Sequence, residues 1–357
     1  VGISFYTFQT LSYSIDVYKK KLQPTTNIVA FFAFVSFFPQ LVAGPIERAT
    51  NLLPQFYKKR CFNYHKAVNG MRQILWGLFK KVVIADNCAT YANQIFNNSD
   101  DYNGSTLVLG AIFFTFQIYG DFSGYSDIAI GTSRLFGFNL KKNFSFPYFS
   151  RDIAEFWRRW HISLSTWFRD YLYIPLGGSR GGTWMKIRNT FIIFIVSGFW
   201  HGANWTFMVW GALNAIYFLP LLLLKKNRVN TNTVAQGKFL PTLKELFNMS
   251  ITFGLTVLAW VFFRAENIGH AWRYLSEIFS TSLFKSPYYS GIGLSKSIVI
   301  LTIIFVFIEW IGRENEYAIQ FKKIVFPRVI QWCFYYLIIL LIVIFSGSKQ
   351  QFIYFQF

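Results

Sequence analysis

The sequence has little charge, few acidic residues and only three cysteines. Charged residues make up 14% of its 357 residues, whereas a soluble globular domain carries roughly a quarter. Cys61, Cys88 and Cys333 lie far apart and show neither a paired spacing nor a metal-ligand spacing, so we expect no disulfide framework and no metal site. Most classes of soluble protein are therefore excluded.

The charge that is present is mostly positive. The chain has 35 Lys and Arg against 16 Asp and Glu, which gives a net charge of +19. Nucleic-acid binding requires basic residues gathered on one solvated face. Here they are scattered between long apolar segments, so we expect no nucleic-acid partner.

Apolar residues make up 53% of the chain and aromatic residues 21%, a composition typical of membrane proteins. A membrane-spanning helix needs about 20 residues. Five segments with few or no charges approach or exceed that length: 22–46, 102–120, 189–224, 246–263 and 328–349. Shorter candidates lie at 1–17, 68–84, 128–138 and 297–308. We predict an all-α polytopic integral membrane protein, with about eight to ten membrane-embedded helices in one domain over residues 1–357.

Loop charge predicts the orientation in the membrane, because Lys and Arg are enriched on the cytoplasmic side. Loops 225–245 and 313–328 are richer in Lys and Arg than loop 264–296. We therefore predict that the first two loops are cytoplasmic, and that loop 264–296 and the tail 349–357 lie outside. The polar stretch 227–241 predicts an exposed loop.

His201 lies inside residues 189–224, a stretch without Asp, Glu, Lys or Arg. A helix beginning near Asn189 rises ~1.5 Å per residue, which places His201 roughly 18 Å into a core about 30 Å thick. An ionisable residue at that depth is a functional-site candidate. The alternative is a neutral histidine bonded to a neighbouring helix. Gly198 and Gly202 predict a close backbone approach or a break in the helix.

His161 belongs to residues 156–178, which are too charged to span lipid and too aromatic for a solvated loop. We expect this segment to lie at the membrane interface or to re-enter the protein. Helical spacing puts His161, Ser165 and Phe168 on one face. The alternative is an interfacial amphipathic helix with snorkelling arginines.

His65 and His270 occur in polar loop sequence, and we expect both to be solvated surface imidazoles. Arg180, with Lys186 and the glycines of residues 177–182, forms a basic loop that could contact an anionic donor. Ordinary positive charge on a cytoplasmic loop explains the same residues, since there is no P-loop spacing.

Asp121 and Asp127 add two carboxylates to the apolar residues 119–131. Gly120 and Gly124 have the small-xxx-small spacing that permits tight helix packing. Buried carboxylates need partners, and pairing without a catalytic duty competes with a role in a proton relay or in substrate binding. The candidate partners are Arg134, Arg158, Arg159 and His161.

Three motifs resemble the membrane-bound O-acyltransferase family in its bacterial branch. They are GDFSGYSDIAIG at 120–131, FWRRWHISLSTWFRD at 156–170 and GFWHG at 198–202. The runs YIPLGG at 173–178, WHGANW at 200–205 and FIYFQF at 352–357 are more similar to the alginate O-acetyltransferase subgroup than to the D-alanyl transferases of teichoic acid.

The resemblance implies a helical bundle with re-entrant or interfacial helices around a central channel, which joins a cytoplasmic donor side to an outer acceptor side. His201 matches the family's essential histidine and His161 its second polar position. The resemblance also implies helices before Val1. The chain opens there without Met and without a basic n-region, so we expect no signal peptide and infer that N-terminal helices are missing.

The resemblance further implies an O-acetyltransferase of the bacterial inner membrane that acts on an exported polysaccharide. His201 is then the general base that takes the proton of a sugar hydroxyl, and His161 orients a substrate or stabilises charge on the carbonyl oxygen. No tightly bound cofactor is expected, and a periplasmic SGNH-type acetyltransferase is a plausible partner. The remaining candidates for substrate contact, or for a phosphorylated donor such as acetyl-CoA, are Arg158, Arg159, Arg180, Asp121, Asp127, Ser165, Trp200 and Asn204.

Three alternatives stay open. D-alanyl or other acyl transfer to a cell-envelope polymer would use the same residues. A proton-coupled transporter would also place His and Asp inside the membrane, although no inverted repeat occurs in the sequence. A structural subunit would tolerate replacement of His201 by Gln.

Overall fold

The computed structural model describes residues 2–320, 327–347 and 350–353. These residues are helical and contain no β-strand, which confirms the predicted all-α fold. Parts of loop 313–328 and of the tail 349–357 lie outside the described residues. The α-helices of the described part, numbered α1 to α14 in chain order, are Gly2–Tyr18, Ile28–Val35, Ala49–Phe56, Tyr64–Leu78, Asp86–Asn97, Gly104–Leu135, Ile153–Arg159, Ile162–Phe168, Thr183–His201, Trp205–Leu223, Leu243–Arg264, Ile268–Ile278, Ile292–Gly312 and Arg328–Ile344.

Four helices in the described residues are long and apolar enough to cross a membrane: Gly104–Leu135, Trp205–Leu223, Leu243–Arg264 and Ser295–Gly312. This is fewer than the eight to ten that the sequence predicts. Two of the uncharged segments are interrupted, because residues 22–46 hold only the short helix α2 and a 3₁₀ turn, and residues 189–224 are divided between α9 and α10. Much of the apolar sequence therefore forms shorter helices.

Helix α6 forms the centre of the protein. Its 32 residues reach ~48 Å at 1.5 Å per residue, and most of its side chains are buried. It packs closely against α4, where a Cβ atom added to Gly77 would lie 2.6 Å from the carbonyl oxygen of Gly124. The tight packing predicted from Gly124 is therefore confirmed.

The two ends of α6 meet different loops. At its start, the N–H of Gly104 donates to the Ser282 hydroxyl at 2.7 Å, within loop 264–296. At its end, the guanidinium of Arg134 pairs with Glu316 at 2.7 Å. The loop predicted to lie outside and a loop predicted to be cytoplasmic thus lie at opposite ends of the same helix.

The loop between α10 and α11 lies at the Glu316 end. The guanidinium of Arg313 donates to the carbonyl oxygens of Val234 and Ala235 at 3.0 and 2.8 Å, and the N–H of Gly237 donates to Glu314 at 2.6 Å. The two loops predicted to be cytoplasmic therefore share one side. The prediction of an exposed loop over 227–241 is partly wrong, because Val234 and Ala235 are buried under these contacts.

Candidate active site

The chain breaks between α7 and α8, and His161 occupies the break. Its φ of +42° is left-handed, a conformation that residues with a side chain seldom adopt. His161 thus precedes helix α8 instead of belonging to it, so the predicted common helical face with Ser165 and Phe168 is wrong. Both short helices bury residues inside the protein, which favours re-entry over a helix on the lipid surface.

The His161 side chain is held by Asn143, which lies in the segment before α7. Its Nδ1 lies 3.1 Å from Asn143 Oδ1, and the same oxygen accepts hydrogen bonds from the hydroxyl and the N–H of Ser163 at 2.9 and 3.3 Å. The Asn143 amide nitrogen donates to the Ser126 hydroxyl at 3.2 Å. Among the described residues, His161 Nε2 has no hydrogen-bond partner although it is buried.

Aromatic rings surround His161 and connect it to the second histidine. The Phe122 ring from the middle of α6 meets it edge-on at 4.6 Å between centroids, and the Phe144 ring stacks at 6.4 Å. The Trp200 ring lies 6.2 Å from His161 and 4.8 Å from His201. The two histidines that the sequence singles out thus lie against the same ring, that of Trp200, where His161 is buried and His201 is half-buried.

His201 is the last residue of α9, so the predicted break at Gly202 is confirmed. The helix begins at Thr183 rather than near Asn189, and His201 lies ~27 Å along it at 1.5 Å per residue. The predicted close approach at Gly198 is also confirmed, since a Cβ atom there would lie 2.2 Å from the carbonyl oxygen of Phe207 in α10.

Asn204 closes the turn between α9 and α10. Its side-chain oxygen accepts from the N–H of Thr206 at 3.1 Å, and its amide donates to the carbonyl of Glu266 at 2.8 Å. The His201 end of α9 is therefore anchored to loop 264–296, the loop predicted to lie outside.

The two carboxylates of α6 bind lysines that the sequence analysis overlooked. Lys80 Nζ lies 2.6 Å from Asp127, and Lys81 Nζ lies 2.7 Å from Asp121. Asp121 also accepts from the N–H of Ile353 at 2.6 Å. The predicted partners are therefore wrong, because the π-helical turn Phe79–Ala85 brings both lysines against α6. Lys80 and Lys81 lie in the apolar stretch 68–84, and this position could have identified them as partners of buried carboxylates.

The candidate arginines contact backbone carbonyls. Arg158 donates to the carbonyls of Asn227 and Asn230, both at 2.8 Å, and Arg159 donates to Glu155 at 3.0 Å and to the Asn232 carbonyl at 3.0 Å. These contacts fasten the loop after α10 to helix α7.

Arg180 and Ser165 lie apart from these contacts. The Arg180 side chain is exposed in the loop before α9. The Ser165 hydroxyl donates to the carbonyl of Trp160 at 3.4 Å, within its own short segment.

Asp170, in the π-helical turn Arg169–Tyr173, links this segment to the start of α3 through an ion pair with Arg48. Burial opposes its ionisation, but the hydrogen bonds and charges of Arg169 and Arg48 hold the pKa of Asp170 below its usual value.

His65 is exposed, as expected. The prediction for His270 is wrong, because its ring is buried near the start of α12 with Nε2 3.1 Å from the Ser99 hydroxyl. Burial lowers the pKa of His270.

Comparison with known proteins decides the family. The model of the membrane-bound O-acyltransferase family matches residues 14–263, which include both histidines and Asn143. The chain belongs to this family. The resemblance of the three motifs is thereby confirmed, and the four candidate membrane spans within the described part of the chain agree with a multi-pass membrane protein.

Similar proteins are named as transferases of alginate, peptidoglycan and teichoic acid. The chain is 46% identical over 280 residues to a probable alginate O-acetylase, AlgI, of Azotobacter vinelandii, and the matched region covers 78% of this chain and 54% of the relative. It is 39% identical over 301 residues to a peptidoglycan O-acetyltransferase of Helicobacter pylori, with coverage of 77% and 56%. It is 30% identical over 284 residues to a teichoic acid D-alanyltransferase of Streptococcus thermophilus, with coverage of 74% and 68%. The chain spans about half the length of the first two.

Proposed function

We propose that this protein is an O-acetyltransferase of the bacterial inner membrane, which moves an acetyl group from a cytoplasmic activated donor towards hydroxyls of an exported polysaccharide. The observation that carries the proposal is that the rings of His161 and His201 both contact the ring of Trp200 in a member of the membrane-bound O-acyltransferase family. Identities of 46% and 39% to O-acetylating relatives favour acetyl over D-alanyl transfer, for which the identity is 30%.

In the proposed reaction His201 acts as the general base. It accepts the proton of the attacking hydroxyl while that oxygen forms a bond to the acetyl carbonyl carbon. With a thioester donor such as acetyl-CoA, the carbon–sulfur bond then breaks, and the proton passes from the imidazolium to the leaving thiolate. No metal and no tightly bound cofactor is required for this sequence.

The position of His201 suits a site reached from both sides. Helix α9 packs against α10, which leads into loop 225–245, predicted to be cytoplasmic. The other end of α9, at His201, is followed by Asn204, which binds the carbonyl of Glu266 in the loop predicted to lie outside. A donor from the cytoplasmic side and an acceptor from the outer side would meet along α9. The acceptor is either the polymer itself or a periplasmic SGNH-type enzyme that relays the acetyl group.

Donor binding is assigned to the exposed Arg180 rather than to Arg158 and Arg159. The latter two already bind carbonyl oxygens of the loop after α10, so their guanidinium groups serve the fold. We also assign Asp127 to an ion pair with Lys80 and Asp121 to an ion pair with Lys81.

The acetyl content of the exported polysaccharide tests the proposal. Cells that lack the gene receive the complete protein, or its His201→Ala or His161→Ala variant, at matched membrane levels. We expect normal polymer yield with each protein and loss of acetyl groups with both variants. Normal acetylation by the His201 variant would refute the general-base assignment, and loss of the polymer itself would indicate an exporter.

A further inference from the structure

We propose that Asn143 is a positioning residue, whose side-chain carbonyl holds neutral His161 as the tautomer protonated on Nδ1, so that Nε2 presents a lone pair to a second hydroxyl of the acceptor sugar, next to the hydroxyl that reacts. The inference rests on the proposed acyl transfer. It also chooses between the two roles that the sequence leaves open for His161, since this tautomer can orient a hydroxyl but cannot donate to an oxyanion.

The orientation of the Asn143 amide is determined by its neighbours. The backbone N–H of Ser163 can only donate, and it points at the Asn143 side-chain atom that faces His161, at 3.3 Å. That atom must therefore be the oxygen. The Ser163 hydroxyl agrees, because it accepts from the N–H of Ile46 at 3.0 Å and donates its own proton to Asn143 at 2.9 Å.

The oxygen of Asn143 in turn determines the tautomer of His161. A side-chain carbonyl has no proton to donate, so the contact of 3.1 Å requires an N–H at His161 Nδ1. In a neutral imidazole the other nitrogen, Nε2, then carries the lone pair.

The surroundings of His161 favour the neutral ring. Its side chain is 2% exposed, and none of the ion pairs among the described residues includes it. A second proton would place a charge and an unpaired N–H in a low-dielectric site, which is costly. The rings against it come from three other parts of the chain and are Phe5, Phe122 and Phe144.

Nε2 is thus a buried acceptor without a partner among the described residues. Leaving such a group unsatisfied costs about 1–3 kcal/mol, and a substrate hydroxyl would satisfy it. The left-handed backbone of His161 is a further unfavourable feature at this point, and such features cluster at active sites. This hydroxyl is not the attacking one, because Nε2 holds its single proton while the attacking hydroxyl gives its proton to His201.

The first test measures the tautomer directly. The complete protein is labelled with ¹⁵N-histidine, and the His161 resonances are assigned by their loss in His161→Gln. We expect the shift of a protonated nitrogen at Nδ1 and of an unprotonated nitrogen at Nε2 near pH 7. The opposite pattern would overturn the inference, whether or not the protein transfers acetyl groups.

The second test measures transfer in membrane vesicles, with ¹⁴C-acetyl-CoA on the cytoplasmic face and the chemically deacetylated polysaccharide of the source cells outside. Asn143→Leu removes the carbonyl and should lower kcat/KM roughly 10²-fold, the size of the loss from a misplaced reacting group. Ser126→Ala is the matched control, because it disturbs the amide nitrogen but leaves the contact to His161, and it should retain activity close to wild type.

Asn143→Asp keeps an oxygen that accepts the hydrogen bond from His161 Nδ1. Its effect on the pH profile of transfer is one that a mere packing role of Asn143 would not produce. Transfer requires neutral His161 and is lost as the pH falls through its pKa. A carboxylate at position 143 raises that pKa, so the acid limb of the pH profile should move to higher pH while activity returns at alkaline pH. Among the described residues, His201 is the other titratable group that acts electrostatically on His161, and it is unchanged in this comparison.

The outcomes separate the two proposals. Wild-type vesicles that transfer no acetyl would refute the proposed function. Active wild-type vesicles with an equally active Asn143→Leu variant would refute the positioning role alone. If Asn143→Leu does not fold, an Asn143→Asp variant with an unchanged acid limb would refute it as well.

Discussion

Replacement of Asp127 by Asn should destabilise the protein and leave its chemistry intact. Lys80 Nζ lies 2.6 Å from the Asp127 carboxylate, and the two side chains are 5% and 13% exposed. Removing one partner of a buried ion pair costs about 3–5 kcal/mol, because the other charge is left uncompensated. Glu309 lies 3.7 Å from the same ammonium group and remains in the variant, so we expect the lower end, about 3 kcal/mol.

Thermal unfolding of the complete protein in detergent measures this loss. About 1 kcal/mol lowers Tm by roughly 2–4 °C in a chain of 150–250 residues and by less in a longer chain, so Asp127→Asn should lower Tm by roughly 4 °C. Asp100→Asn is the control. Its carboxylate is 75% exposed and lies 3.5 Å from Arg273, and such surface pairs contribute about 0–1 kcal/mol.

Acetyl transfer per folded molecule, measured at a temperature where the variant is folded, separates a structural from a catalytic role of Asp127. We expect a rate close to wild type. Replacing the whole buried group, by Lys80→Met, Asp127→Leu and Glu309→Gln, should restore much of the lost Tm, since it removes all three buried charges. An unchanged Tm for Asp127→Asn together with a large loss of transfer would refute the assignment.

Two further changes test other parts of the structure. Because the pKa of Asp170 is held below its usual value by Arg48 and Arg169, its contribution to stability is present above pH ~4 and is lost as the pH falls through its lowered pKa. The Tm difference between wild type and Asp170→Asn should therefore shrink when measured at pH 3 instead of pH 7, and a constant difference would contradict it. Gly198→Ala places a Cβ atom 2.2 Å from the carbonyl oxygen of Phe207, so it should separate α9 from α10 and lower Tm, and a Tm equal to wild type would contradict the close approach.

The sequence predicts the helical class and the break after His201, because both follow from local patterns. Long uncharged stretches require internally satisfied backbone hydrogen bonds, and glycines on both sides of a histidine predict a helix end. The number of spanning helices, by contrast, cannot be predicted from local patterns. The stretch 22–46 is as apolar as α11, yet it folds into short pieces.

The partners inside the candidate site were the least predictable part. The expected partner of Asp127 was an arginine or His161, but a π-helical turn, which no simple spacing indicates, presents Lys80 to it. Asn143 has no motif of its own and becomes notable only when the fold brings it to the His161 side chain. His201 was found because an ionisable residue in apolar sequence is rare, and His161 because its charged and aromatic segment 156–178 fits neither a membrane span nor a solvated loop.

Transfer of ¹⁴C-acetyl from the cytoplasmic face of membrane vesicles into the exported polysaccharide is the measurement that tests the central claim most directly. Wild-type protein should label the polymer, and His201→Gln, which keeps a similar size and a hydrogen-bonding side chain, should reduce the rate by roughly 10²-fold or more at an equal membrane level. Equal labelling by wild type and His201→Gln would contradict the claim that this histidine performs the acyl transfer.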